Sequence, residues 1–150
     1  MSDLYGSTRR PYQNVMLGFL DRQHKLIFIL DICKTYEDLS TKNRSITTRG
    51  YRPYCEDYNM TKGWYRFNGD AGTAMATSCA SRNYCGVSYP GWMNGSHPTV
   101  KDGIVTRTVC FDCHCYNKTQ IKVVRCRNFY IYQHVSILGC KFGYCGNGKG

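Results

Sequence analysis

Aliphatic side chains are scarce in this 150-residue chain. Leu, Ile, Val and Phe together number 29, or 19%, and only 18 of the 118 residues from Cys33 onward belong to these types. A well-charged chain below ~20% in such residues does not ordinarily order itself by aliphatic burial. Acid is scarce as well: 10 Asp and Glu stand against 20 Lys and Arg, giving a formal charge of +10, and the only glutamates are Glu37 and Glu56. Glu37-Asp38 and Glu56-Asp57 are sequence neighbours whose side chains diverge, which suits exposed turns better than a convergent acid/base pair. Long apolar runs are missing too. Val15–Leu20 is separated from Leu26–Leu30 by Asp21, Arg22, His24 and Lys25. That interruption leaves no ~18-residue membrane span and breaks the ~7–15-residue apolar core of a signal peptide.

Catalytic and nucleic-acid signatures are equally thin. Gly-x-Ser-x-Gly does not occur, Cys85-Gly86-Val87-Ser88-Tyr89 departs from a papain-like pattern, and the four histidines are dispersed. No helix-turn-helix pattern, RNP-like strand or Gly-rich phosphate loop accompanies the positive charge, so no nucleic-acid partner is expected.

What the chain does have is ten cysteines, thirteen tyrosines and two tryptophans. Aromatics bury large areas, and each disulfide typically adds ~2–4 kcal/mol. Disulfides persist outside the reducing cytosol, so the cysteine count points to an extracellular, secreted domain. Cys110-x-x-Cys113 and Cys140-x4-Cys145, with His114 nearby, have spacings a zinc site could use. Zinc needs thiolates that oxidised pairs cannot supply, and Cys113-His114-Cys115 is too compact for one tetrahedral ion, so no metal or other cofactor is expected. A redox role for Cys110-x-x-Cys113 would need a helix N-terminus within a βαβ unit, and none is visible.

Four Asn-X-Ser/Thr sequons begin at Asn43, Asn59, Asn94 and Asn117. In a Cys-rich chain they are candidate glycosylation sites. Charge is uneven: residues 106–150 carry seven basic side chains against Asp112 alone. Such a face could meet a polyanionic, for example sulfated, glycan. The plainer reading of Lys118, Lys122, Arg125 and Arg127 is a solvated strand edge.

Residues 1–32 fit a degenerate signal, an amphipathic packing helix or sequence foreign to the mature domain, and the last is preferred. Thr35–Leu39 allows a short helical turn and Thr41–Arg52 a polar loop. Gly63–Phe67, Gly103–Cys110, Ile121–Cys126 and Phe129–Tyr132 read as strands, while turn residues dominate through Pro90-Gly91, Asn94-Gly95 and His97-Pro98. Trp64, Tyr65, Phe67 and Trp92 are read as packing, with a carbohydrate-stacking platform as the functional alternative. Arg66 between Tyr65 and Phe67 is expected to stack on a ring or pair with a carboxylate. Gly146–Gly150 reads as an exposed linker leading to another module.

Several of these residues form an ordered pattern: Gly63-Trp64-Tyr65-Arg66-Phe67, Gly69, Gly72, Met75, Cys79 and Cys85, Pro90-Gly91-Trp92, Asn94-Gly95-Ser96-His97-Pro98, and Gly103-Ile104-Val105-x-Arg107 with Cys110. Cys126, Tyr130-Ile131-Tyr132, Cys140 and Tyr144-Cys145 continue it. The pattern resembles the cysteine-rich, decoy-type domain of the uromodulin and pancreatic glycoprotein 2 family, found in animal extracellular mosaic proteins, and covers residues 33–145. Ten cysteines alone leave ~945 pairings open. The resemblance implies Cys33–Cys126, Cys55–Cys140, Cys79–Cys113, Cys85–Cys145 and Cys110–Cys115, with exchange among the last partners left open because His114 separates cysteines that are adjacent in the family. It also implies a non-catalytic module displaying N-linked glycans, one of which, in family members, is a high-mannose decoy for a fimbrial adhesin. Asn94 matches a family sequon in its Trp-x-Asn-Gly-Ser-His-Pro setting. The mannose-bearing sequon would follow Tyr132, where Gln133-His134-Val135 is no sequon.

The expectation is a small β-rich, loop-heavy, disulfide-stapled extracellular domain at 33–145, between an N-terminal segment (1–32) and a linker (146–150). It would act as a binding or glycan-display module of a larger secreted or membrane-anchored protein, with protein or carbohydrate ligands outside the cell. A basic module for sulfated glycans and a secreted enzyme with an unrecognised site are the alternatives.

Overall fold

A computed structural model describes residues 11–50 and 55–150. Residues 1–10 of the N-terminal segment and the last two positions of the polar loop, 51 and 52, lie outside the described residues. Helix α1 (Pro11–Ile32) is followed by β1 (Glu37–Leu39), β2 (Trp64–Phe67), β3 (Tyr89–Asn94), β4 (Ile104–Cys110), β5 (Lys118–Arg125), β6 (Tyr130–Gln133) and β7 (Phe142–Tyr144). The strands form one sheet in the order β1-β2-β6-β5-β4-β3-β7. Its interior pairings are antiparallel, and the two edge strands β1 and β7 pair in parallel with β2 and β3. The fold is therefore the small, β-rich, bridge-stapled domain that scarce aliphatics and abundant cysteine require.

β4 and β5 are the longest strands because their β-branched residues suit a pleated, half-buried surface. Side chains alternate across the sheet, and the β4/β5 register places Val105 and Val109 on one face with Ile121 and Val123. That face, with Phe67, Met93 and Tyr132, is closed by Ala71, Met75 and Ile137 from the connecting segments and by Tyr144 of β7. Aromatic edges fill the space aliphatics leave: Phe67 meets Tyr132 with centroids 5.5 Å apart, and Phe111 meets Phe142 at 5.3 Å. The remaining space near Met60, Tyr65 and Met75 is about 10 Å³, room for one water at most.

The opposite face is covered by α1 at its β2-β6-β5 end. There Trp64, Val124 and Ile131 pack against Ile32 and Ile29 from the last turns of α1. Of the readings of residues 1–32, these turns have the contacts of a packing helix. Arg66 lies 4.0 Å from the Phe129 ring and donates to the Tyr36 hydroxyl at 3.0 Å, so it stacks rather than pairing with acid. Trp64, Tyr65 and Phe67 are buried packing residues, and half-buried Trp92 donates from Nε1 to the Asp112 carbonyl.

Several local expectations give way. Residues 37–39 form a strand, not a helical turn, because they pair in register with Tyr65–Phe67. The polar loop contains a 3-10 turn at Lys42–Arg44, and Arg44 is buried. The turn-rich stretch 89–94 is β3: Gly91 is required there because a Cβ would lie 2.7 Å from both the Gly143 carbonyl and the Phe111 ring. β5 is central, so its basic residues do not line a sheet edge. Gly146–Gly148 are not an exposed linker. Gly146 donates to the Arg44 carbonyl and bridges Ser45 and Met75, Gly148 donates to the Ala71 carbonyl, and a Cβ at Gly146 would sit 2.1 Å from the Ala71 carbonyl oxygen.

Asp57 also departs from expectation. It is buried, with Oδ1 2.6 Å from Arg44 Nη2, and its Oδ2 accepts the Tyr144 N–H at 2.5 Å. Glu56, 42% exposed, pairs with the same guanidinium at 3.2 Å. One buried ion pair thus ties the 42–57 segment to β7. Disulfides join Cys33 to Cys126, Cys55 to Cys140, Cys79 to Cys113, Cys85 to Cys145 and Cys110 to Cys115, with Cα separations of 4.5–5.8 Å.

Candidate functional site

The loop after β3 carries the most elaborate polar arrangement. β3 ends at Asn94, and Gly95–Gly103 turn back to start β4. Gly95 has φ +135°, a backbone region that glycine tolerates, and its missing side chain leaves room for Arg107. Arg107 Nε donates to the Ser96 carbonyl at 2.9 Å. At the far end, Asp102 accepts the Thr99 N–H at 2.8 Å in a capping box. Those hydrogen bonds, from the Thr99 backbone first and its side chain second, hold the Asp102 carboxyl below the ordinary range.

His97 fixes the loop from inside. Its Nε2 lies 2.7 Å from the Tyr132 hydroxyl, whose oxygen accepts the Met75 N–H at 2.8 Å. Burial, with the positive fields of Arg107 and Arg125, lowers the His97 pKa to about 4. A neutral imidazole with Nε2 as acceptor suits this geometry: Tyr132 donates its one proton to His97 and accepts from Met75. Burial raises the Tyr132 phenol, so it stays protonated. Sequence reading treats His97 as a turn residue fixed by Pro98. Instead it links loop, sheet and the 71–76 segment.

The four sequons are presented differently. At Asn94-Gly95-Ser96 and Asn59-Met60-Thr61 both the asparagine and the hydroxyl residue are exposed. Asn43 is exposed, but Ser45 is buried and hydrogen-bonds Thr47. Asn117 is half-buried, and its hydroxyl residue Thr119 is paired within β5. Asn94 borders an open cleft of about 560 Å³ on the outer face, lined with Thr108, His114, Lys118, Thr119 and Gln120. The cleft's far wall is the loop around Asp112, whose carboxylate accepts the backbone N–H of Asn117 and of Tyr116 and is held below its ordinary range chiefly by the Asn117 bond. Asp112, the sole acid of residues 106–150, is thus a turn cap rather than a counter-ion.

Among the described residues the candidate catalytic side chains of the sequence do not come together. His134 is buried between the Tyr65 and Tyr144 rings, with its pKa lowered first by burial and further by Arg44, against the opposing pull of Asp57. His114 stacks on Tyr116 at 5.5 Å. Cys110, Cys113 and Cys115 are all in disulfides, and the described residues hold no cluster of His, Cys, Asp or Glu able to bind a metal. No described helix is long and apolar enough to cross a membrane. Arg44, Arg107 and Tyr132 carry the polar architecture, yet nothing in sequence marks Arg44 as buried.

Comparison with known proteins places these features in a family. The uromodulin-like cysteine-rich domain matches residues 65–146. Mouse uromodulin is 40% identical over 119 residues, covering 77% of this chain and 18% of its own length. The pancreatic secretory granule membrane major glycoprotein GP2 of dog is 36% identical over 120 residues, and that of human 34% over 120, covering 77% of this chain and 23% and 22% of those proteins. The chain spans about a fifth of the length of the relatives it matches. With its cysteine-stapled sheet and its matching strands and loop, the chain belongs to the family of uromodulin-like cysteine-rich domains.

Proposed function

We propose that the chain is a non-catalytic glycan-display and binding module of a larger extracellular protein, and that Asn94 is its principal glycan-bearing residue. The carrying observation is the presentation of Asn94-Gly95-Ser96: exposed at a strand end, on a loop held by Arg107 and His97. A glycan there leaves the domain in a defined direction, beside the polar outer cleft. Ten bridged cysteines support an oxidising compartment, as does the name of GP2, a secretory granule membrane glycoprotein. The absence of enzymatic chemistry is supported by histidines engaged with rings and a buried phenol. Ligands would be proteins or carbohydrates met outside the cell.

The test is expression through a secretory pathway, followed by N-glycosidase treatment of the chain and of N43Q, N59Q, N94Q and N117Q variants. Glycosidase should lower the apparent mass, with N94Q removing the largest share and N43Q and N117Q the least. No mass shift on the unaltered chain would overturn glycan display.

A further inference from the structure

The basic residues near the C-terminal strands look like one strip in sequence, but the sheet divides them. Along β5, Lys118 and Lys122 stand exposed on the outer face, whereas Arg125 shares the inward face with Ile121 and Val123. Arg125 lies opposite Tyr130, with its guanidinium 4.7 Å from the ring centroid. Arg107, opposite Ile121, emerges on the same face and holds the 95–99 loop through Ser96, while Nη1 donates to the Thr106 carbonyl at 3.0 Å. The His97 ring sits 4.3 Å from the same Tyr130 centroid. Both guanidiniums therefore act on one imidazole, which shares the Tyr130 ring with Arg125.

Neither guanidinium has a carboxylate within 4.0 Å among the described residues. Among the described residues, Asp102, exposed on the 3-10 turn packed beside β5, accepts the Thr99 N–H and also feels the Arg107 charge from beyond 4.0 Å. Both arginines are half-buried. Ile121, the neighbour of Arg107, precedes Arg125 by four residues, or about 13 Å of strand. Two arginines rooted that far apart on neighbouring strands offer two separate forks, which suits a chain with repeated acidic groups. Guanidinium forks match sulfate and carboxylate geometry, and the Tyr130 ring beside Arg125 adds an apolar surface.

We propose that Arg107, Arg125 and the His97 loop form a binding site for a sulfated glycan chain, separate from the exposed lysines of the outer face. The site does not depend on glycosylation: Asn94, paired with Thr108, points to the opposite face from Arg107.

The test measures binding of a size-defined heparin oligosaccharide, its desulfated counterpart and duplex DNA to the chain, before and after N-glycosidase. R107Q and R125Q should each weaken heparin binding about tenfold, the loss of one charge-assisted contact, whereas K118Q and K122Q leave it within about twofold. Saturation with heparin should raise the His97 pKa seen by NMR, since an anion beside the arginines offsets their field, which adds to burial in lowering it. R125Q, which removes only a ring contact, and the His97 titration keep the test informative if R107Q does not fold. Equal losses from the lysine variants, equal binding of desulfated chain or DNA, or an unmoved His97 would each overturn the site.

Discussion

Replacing Asp57 with Asn removes the charge opposite Arg44 while keeping side-chain size. The two side chains are 1% and 4% exposed, with oxygen and nitrogen 2.6 Å apart, so water cannot replace the lost partner. Breaking a buried pair by removing one member costs ~3–5 kcal/mol. Glu56 remains at 3.2 Å from the guanidinium, but it is 42% exposed and offsets little of this. The lower end, about 3 kcal/mol, is expected. With a urea m-value of ~2 kcal/mol/M, the midpoint should fall by roughly 1.5 M with all bridges intact. The control E56Q should cost no more than about 1 kcal/mol. The double variant R44M/D57L should be more stable than D57N, because no uncompensated charge stays buried. A D57N loss below about 1 kcal/mol, or a double variant as unstable as the sum of its single changes, would refute the reasoning.

Three further outcomes follow from the same structure. Y132F removes the hydroxyl between Met75 N–H and His97, and should cost ~1–3 kcal/mol in urea unfolding; an unchanged midpoint would contradict the relay. His97 should titrate near pH 4 by NMR. Because the unfolded histidine binds its proton near pH 6.5 and the folded one does not, stability should fall as pH drops from about 6.5 toward 4, and a flat profile would argue against it. G146A should lower thermal stability by ~1–3 kcal/mol, as its Cβ meets the Ala71 carbonyl, whereas G139A, open within 4 Å, should stay within about 0.5 kcal/mol.

Strands rich in β-branched and aromatic residues are legible in the sequence: β2, β4, β5 and β6 overlap the stretches Gly63–Phe67, Gly103–Cys110, Ile121–Cys126 and Phe129–Tyr132, with β5 starting three residues earlier. β3 is not, because Pro90-Gly91 and Asn94-Gly95 are turn dipeptides locally. The sheet overrides them: Pro90 pairs in parallel with Gly143, and Gly91 allows a contact no side chain would. β1 and β7, three residues each, are too short for any period and exist through their parallel neighbours. Charge patterning misleads most. Asp57 looks like half of an exposed acidic pair, yet its partner Arg44 comes from a polar loop, and only tertiary packing brings them together. The basic strip divides for a related reason, since linear spacing says nothing of faces until register is known. At the candidate site, Asn94 is visible as a motif, whereas the supports at Arg107 and Tyr132 emerge only from geometry.

The central claim is a bridged, glycosylated module, and one peptide map addresses both halves. Secreted protein is digested without reduction and released from glycans by N-glycosidase in heavy-oxygen water, then read by mass spectrometry. The account predicts linked peptides joining Cys33 to Cys126, Cys55 to Cys140, Cys79 to Cys113, Cys85 to Cys145 and Cys110 to Cys115, with isotope label at Asn94. Free thiols at these positions, or an unlabelled Asn94, would contradict it.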